Sequence, residues 1–497
     1  MSKAIVILGT MSSAGKSLIV TGLCRIFARK GIKVAPFKAQ NMSNNAAVCK
    51  DGGEIGRAQY LQAIACKIEP TVDMNPILLK PEGNSKSQII IRGKVWNSLN
   101  AKDYYKRKRY LWDVVVESLE KLKNEYELII VEGAGSPVEL NLKQNDIVNM
   151  AIAKYLDAPT YIVGDIDRGG IFAQLLGTYW LLEEEEKKLV KGFIVNKFRG
   201  DINLFKDGVS IIQEKSGVPV IGIVPYITDL ILPEEDVATI EDFAKSAVKS
   251  ADKKIDICVI SYPHISNFDD FDAFKMQREV NLRFVRRVEE FGKPDLVILP
   301  GSKNTISDLI WIRKTGFEDV LKRYVQNGGK LVGICGGYQM LGKKIHDPQK
   351  MESDTETIDG LGFLNTVTVL RTNKTTRQIT ARMVKDIGSF TDENLEGYEI
   401  HLGQTEFLDA NHGIFEIIYE NQTIKDGAFS EDFKIWGTYI HGIFNNDAFR
   451  NSFLKTLGVE ISELSYKESL NKNIDKLADV IEENIDVQKI MEDAGIF

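Results

Sequence analysis

The sequence predicts two consecutive α/β domains, on three observations. Residues up to about 225 alternate short, β-branched apolar runs with helical stretches. The alternation stops in an acidic segment and restarts at Ile255. Several of the apolar runs end in glycine-rich or charged loops, where open parallel sheets place their ligands.

In chain order, the strand candidates of the first half are Ala4–Leu8, Lys33–Phe37, Leu128–Val131, Thr160–Val163, Gly192–Val195 and Val220–Val224. Near-continuous apolar strands of this kind belong to a parallel sheet covered on both faces. Ser17–Lys30 and Asp167–Leu182 have helical period and lie between them. From Pro225 to Lys254 alternation is lost around Pro233-Glu-Glu-Asp236, which predicts a linker over 229–252. The second pattern runs from Ile255–Ile260 through Leu296–Leu299 and Leu331–Ile334. It turns strand-rich from about Gly360, and Ile474–Ala494 is expected as a terminal helix. The divisions are therefore 1–228, 229–252, 253–450 and a helical tail over 451–497.

A chain of 497 residues exceeds one hydrophobic core. Its 43% hydrophobic and 27% charged content is ordinary for a soluble protein. A net charge of −7 argues against a nucleic-acid partner, which needs a basic face. There is no apolar run of the roughly 20 residues that cross a bilayer, and no signal peptide. Five scattered cysteines (24, 49, 66, 258 and 335) lack metal-site spacing and fit a reducing cytoplasm.

The first strand opens into Gly9-Thr-Met-Ser-Ser-Ala-Gly15-Lys16-Ser17. Backbone amides of such a loop, feeding a helix N-terminus, cradle phosphate. Lys16 adds a positive charge and the Ser17 hydroxyl is a magnesium contact. In the common spacing the first glycine falls at Thr10; here Gly9 lies one residue earlier. Together these residues predict ATP with Mg2+. Other strand ends supply Lys38, for an anionic substrate or a transferred phosphoryl group, and Glu132, a hard-oxygen magnesium ligand. Asp165 and Asp167 suit a substrate or metal role and loop capping about equally. Asn196 suits a base edge or a turn.

The second signature is Gly333-Ile-Cys335-Gly336-Gly337 after a strand. Small neighbours permit a strained turn that exposes a nucleophile at a helix N-terminus, where the thiolate is favoured. Five histidines could serve as its base: 264, 346, 401, 412 and 441. His441, at the end of Trp436-Gly-Thr-Tyr-Ile-His441, is preferred over His401. The glycine loop Leu299-Pro-Gly301 and the amide of Gly336 are the expected oxyanion donors.

Residues 1–225 resemble the dethiobiotin-synthetase-like ATPases, whose longer glycine loop accounts for the Gly9 spacing. Residues 253–450 resemble class I glutamine amidotransferases, which implies a flavodoxin-like α/β fold. Five blocks carry a resemblance to the glutamine-hydrolysing cobyric acid synthases over nearly the whole chain. They are Lys38-Ala-Gln-Asn-Met-Ser-Asn-Asn45, Glu54-Ile-Gly-Arg-Ala-Gln59, Asp73-Met-Asn-Pro-Ile-Leu-Leu-Lys80, Asp165-Ile-Asp-Arg-Gly-Gly-Ile-Phe172 and Asn196-Lys-Phe-Arg-Gly-Asp201. The resemblance implies amidation of corrinoid carboxylates with ATP and L-glutamine. Cys335 attacks glutamine, His441 shuttles protons, and ammonia reaches an acyl phosphate in the ATP half. It further implies Glu132 and a second acid, Glu54, on magnesium, Lys38 on the transferred phosphoryl group, and Asn196 on adenine. Many class I members carry a glutamate two residues after the histidine; here Ile443 stands there, which leaves the third triad member open, with Glu399 as a candidate.

Three rivals stand beside this expectation. The sister enzyme that amidates the a and c carboxylates has the same two halves. Another polycarboxylate could replace the corrinoid. A nucleotide-driven switch shares the first sheet, but has no use for the Cys335 domain.

Overall fold

The computed structural model describes residues 3–83, 86–100, 103–104, 106–233, 254–384, 394–420 and 422–496. The first half is built on six parallel strands: β1 (Lys3–Gly9), β2 (Val34–Phe37), β3 (Leu128–Glu132), β4 (Thr160–Asp165), β5 (Val190–Phe198) and β6 (Val220–Pro225). Their spatial order is β6-β5-β4-β1-β3-β2. The central strands are buried on both faces, which is why they are apolar almost without interruption. Helix α1 (Lys16–Arg29) follows β1, and α2 (Arg57–Ala65) follows a short ribbon of Ala46–Val48 and Glu54–Gly56.

A four-stranded sheet of Gln40–Met42, Ile77–Gly83, Lys86–Ile91 and Lys94–Asn100 lies between β2 and β3 in the chain, and the sequence reading did not anticipate it. Its outermost strand, Lys94–Asn100, is mostly exposed and polar, so it shows no continuous apolar run.

The second half has five parallel strands at the core of a larger sheet: β7 (Ile255–Ile260), β8 (Val280–Val285), β9 (Leu296–Leu299), β10 (Lys330–Ile334) and, after an antiparallel excursion, β15 (Ile435–Thr438). Their order is β8-β7-β9-β10-β15. The excursion comprises β11 (Thr366–Met383), β12 (Asn394–Phe407), β13 (His412–Tyr419) and β14 (Gln422–Phe429), as the strand-rich composition predicted. Helix α3 (Gly336–Leu341) follows β10. Most of the expected linker lies outside the described residues.

The last segment is not a tail. The sequence predicts one helix over 474–494; the structure has α4 (Tyr466–Asn484) and α5 (Val487–Ala494). They part where Ile485 bridges Gly222 of β6 and the Asp486 amide donates to Ile221 O at 2.8 Å. Ile474, Leu477 and Ile481 share one core with Ile5 and Ile7 of β1 and Ile19 and Leu23 of α1. Arg25, 2% exposed, donates to Asn471 at 2.6 Å, and Arg29 pairs with Asp475 at 2.9 Å. Among the described residues, no helix is long and apolar enough to cross a membrane.

Candidate active site

Four strand ends of the second half converge. The turn after β10 holds Cys335 at φ 51, ψ −107, a conformation that a non-glycine residue adopts only under constraint. Gly336 and Gly337 follow it into α3. The Gly337 amide is committed to Pro300 O at 2.9 Å, while the Gly336 amide opens the helix beside the thiol. Gly301 follows β9, and a Cβ placed there would come within 3.2 Å of His441 Cε1, so this glycine lies against the histidine ring. His441 follows β15, is 1% exposed and is close enough to Cys335 for the thiol to act on its charge. The thiol also lies 3.8 Å from Ile400 O.

The fourth contribution comes from the loop after β7, and sequence reading missed it. Asp270 Oδ2 accepts from His441 Nδ1 at 2.7 Å, and Oδ1 accepts from the Gly442 amide at 2.8 Å. Burial opposes a charged imidazole, but the Asp270 carboxylate and the Cys335 thiolate outweigh it and push His441 up to about 10. Glu399 does not have this role: it pairs with Arg377 at 2.5 Å and with His401 at 3.2 Å. His401, the alternative base, has its other nitrogen 2.8 Å from Gly403 O, so both ring nitrogens are engaged away from the thiol. A signal for Asp270 did exist. Phe268-Asp-Asp-Phe-Asp-Ala-Phe274 sets three carboxylates among core aromatics, and buried carboxylates require partners.

The first half gathers its charged residues at the C-terminal ends of β1 to β5. Gly15 (φ 98) opens α1, and Lys16 Nζ folds back to Met11 O at 3.0 Å and Gly135 O at 3.3 Å. Glu132 is the centre. Its Oε1 accepts from Ser17 Oγ and pairs with Lys38 Nζ, both at 2.8 Å, and its Oε2 accepts from Gln62 at 2.6 Å. Burial alone would raise this carboxyl, but the Lys38 ammonium and the bonds from Gln62 and Ser17 hold it below the ordinary carboxylate range. Ser17 Oγ and the Glu132 carboxylate are hard oxygen donors beside a phosphate cradle, a set that fits Mg2+.

Three expected residues are placed differently. Glu54 is paired with Lys80 and, at 2.6 Å, with Lys374 of β11, so its carboxylate is held by two ammonium groups and not offered to a cation. Burial opposes its ionisation, yet those ammoniums bring Glu54 down to about 2. Asp165 is fully buried and paired with Lys197 at 2.8 Å, which also donates to Ser13 O at 2.8 Å, so it braces the phosphate loop. Asn196 Nδ2 donates to Ala14 O at 2.9 Å and lies where a Cβ on Gly15 would fall, so only its Oδ1 is left for a base. Thr10 lies at the loop's start, its amide on Val163 O at 2.9 Å and its hydroxyl on Gln174 Oε1 at 3.1 Å.

Residues 5–240 match the CobQ/CobB/MinD/ParA nucleotide binding domain, and residues 256–449 match the CobB/CobQ-like glutamine amidotransferase domain. A cobyric acid synthase of Dehalococcoides mccartyi strain CBDB1 is 45% identical over 99% of this chain and 98% of its own length. One from Chloroflexus aggregans is 50% identical over 91% of each chain. One from Clostridium acetobutylicum is 45% identical over 99% of each. The nucleotide-binding half, the glutamine amidotransferase half and full-length identity therefore agree, and the chain belongs to the cobyric acid synthase family of glutamine-dependent amidotransferases.

Proposed function

We propose that the chain amidates the b, d, e and g carboxylates of adenosylcobyrinic acid a,c-diamide in the cytoplasm, giving adenosylcobyric acid in cobalamin synthesis. The observation that carries the reading is that cobyric acid synthases match both halves in one alignment along 99% of the chain. The arrangement of side chains supports the chemistry. His441, held by Asp270 as an imidazolium, keeps the proton drawn from Cys335, and the thiolate attacks the glutamine amide carbon. Amides of Gly336 and Gly301 face the developing oxyanion. The imidazolium returns its proton to the leaving nitrogen, ammonia departs, and water then cleaves the thioester to glutamate and the free thiol.

In the other half, Lys16 and the loop amides hold the ATP phosphates, and Ser17 and Glu132 hold Mg2+. When bound, the cation neutralises phosphate charge during transfer. A substrate carboxylate takes the γ-phosphoryl group, ADP leaves, and ammonia displaces inorganic phosphate from the acyl phosphate to form the amide. Lys38 stabilises the transferring group. Asp165 and Asn196 act through the loop that they brace.

Incubation with adenosylcobyrinic acid a,c-diamide, ATP, magnesium and glutamine is expected to convert four carboxylates stepwise to amides, read by mass spectrometry. An unchanged corrinoid alongside active glutaminase would favour the other-polycarboxylate rival. Amidation of the a and c positions of a less amidated corrinoid would favour the sister enzyme. Cys335→Ala is expected to abolish glutamine use and keep amidation with free ammonium. Failure of ammonium to rescue a folded Cys335→Ala would sink the division of labour between the halves.

A further inference from the structure

Helix α2 begins with an arginine that neither set of reacting groups uses. Arg57 is 8% exposed, and its Nη2 lies 2.8 Å from Oδ2 of Asp269, across the boundary between the halves. The guanidinium also sits 5.2 Å over the Tyr60 ring. Asp269 is the chain neighbour of Asp270, and both lie in the single turn Phe268–Phe271 that starts from Asn267 in the left-handed conformation, φ 52. Asn267 in turn donates to Ala46 O of the first half at 3.3 Å and to Tyr398 Oη at 3.1 Å. The Tyr398 ring stacks on His441, centroids 5.1 Å apart and 15° from parallel.

These contacts made by the first half on this turn thus land one residue from Asp270, or on the support of a ring that covers His441. A buried ion pair is a poor source of net stability, because desolvation offsets most of the attraction. It is, however, a sharp geometric constraint, since a fixed fork and a carboxylate allow little movement.

We propose that Arg57 is a positioning residue for the glutaminase: through Asp269 it fixes the turn that aims Asp270 at His441. This rests on the Cys335–His441–Asp270 reading. The same helix donates from Gln62 to Glu132. Five residues, about 7.5 Å of helix, separate the brace of the thiol site from the carboxylate of the phosphate site. The two sites therefore share one rigid element.

The test uses the full chain and follows glutamate release from glutamine. Arg57→Gln is expected to lower kcat at least tenfold while KM for glutamine stays within twofold, because the amide still binds but the base is misaimed. Arg57→Gln alone strands a buried carboxylate, so the double variant Arg57→Gln/Asp269→Asn is measured too. It is expected to regain the native melting temperature and stay at least tenfold slow. A kcat within twofold of native in either variant overturns the proposal; in the double variant it would mean that Arg57 only neutralises Asp269. Equal losses in kcat and binding would also overturn it. Cys335→Ala reports on the reading underneath: glutamate release that survives there removes the triad itself, whatever Arg57 does.

Discussion

A Cβ on Gly337 would approach the carbonyl oxygen of Leu299 to 1.9 Å, a backbone atom that cannot swing aside. Gly337→Ala must therefore push the Cys335 turn away from β9. Displacements of about 1 Å at reacting groups cost on the order of a hundredfold in rate, so glutamate release is expected to fall by at least that factor while the variant still melts cooperatively. Asp270 acts by charge and orientation. Because the folded pKa of His441 lies above that of a free imidazole, the charged ring persists from acid up to about pH 10 and is lost above it. The stability it contributes is complete below the unfolded value near 6.5 and fades as pH rises through about 10. Asp270→Asn removes the main attraction. Its glutaminase profile is expected to lose its alkaline reach, with the high-pH limb moved towards neutrality, and the rate to fall by roughly 10³–10⁴-fold, as when the acid of an analogous triad is neutralised. An unmoved limb would refute this account of the pKa. Cys335, His441, Lys16, Ser17 and Glu132 were legible because each sits in a local motif at a strand end. Asp270 was not, since it reaches His441 from 171 positions away. The partners of Glu54 and Asp165 were not legible for the same reason: Lys374 and Lys197, which take up their charge, are distant in sequence.

At the scale of elements, α1 does two things at once. Its first turn cups the phosphate loop, and its far face takes α4. Gly22 makes this close approach possible, because a Cβ there would lie 2.7 Å from Ile481 Cγ1. Gly22→Val is expected to destabilise the protein by about 1–3 kcal/mol through overpacking, read as a lower melting temperature. Ile481→Ala in the same chain should recover part of that loss; if it adds to it, the two helices do not press on each other at this point. The helix and strand periods of α1 and of the two parallel sheets were readable because burial imposes a regular pattern. The break between α4 and α5 was not, since it is set by a pairing with β6 across more than 250 residues.

The molecule as a whole is closed on itself. The glutaminase half is inserted between the six-stranded sheet and the two helices that complete that sheet's core. A fragment of residues 3–233 is therefore expected to aggregate, with the apolar faces of β1 and α1 uncovered. Joining residues 460–496 to it through a flexible glycine-serine linker is expected to restore a soluble, cooperatively melting domain. A monomeric, cooperatively folded 3–233 would contradict this. The same closure sets an order in time. On the ribosome, about 240 residues are made after β6 before α4 begins to emerge. At roughly 5–20 residues per second this takes about 10–50 s. The nascent phosphate-binding half waits that long with its face open, so a chaperone or a translational pause has its widest opportunity there, and the arrival of α4 and α5 decides when that half becomes safe from aggregation.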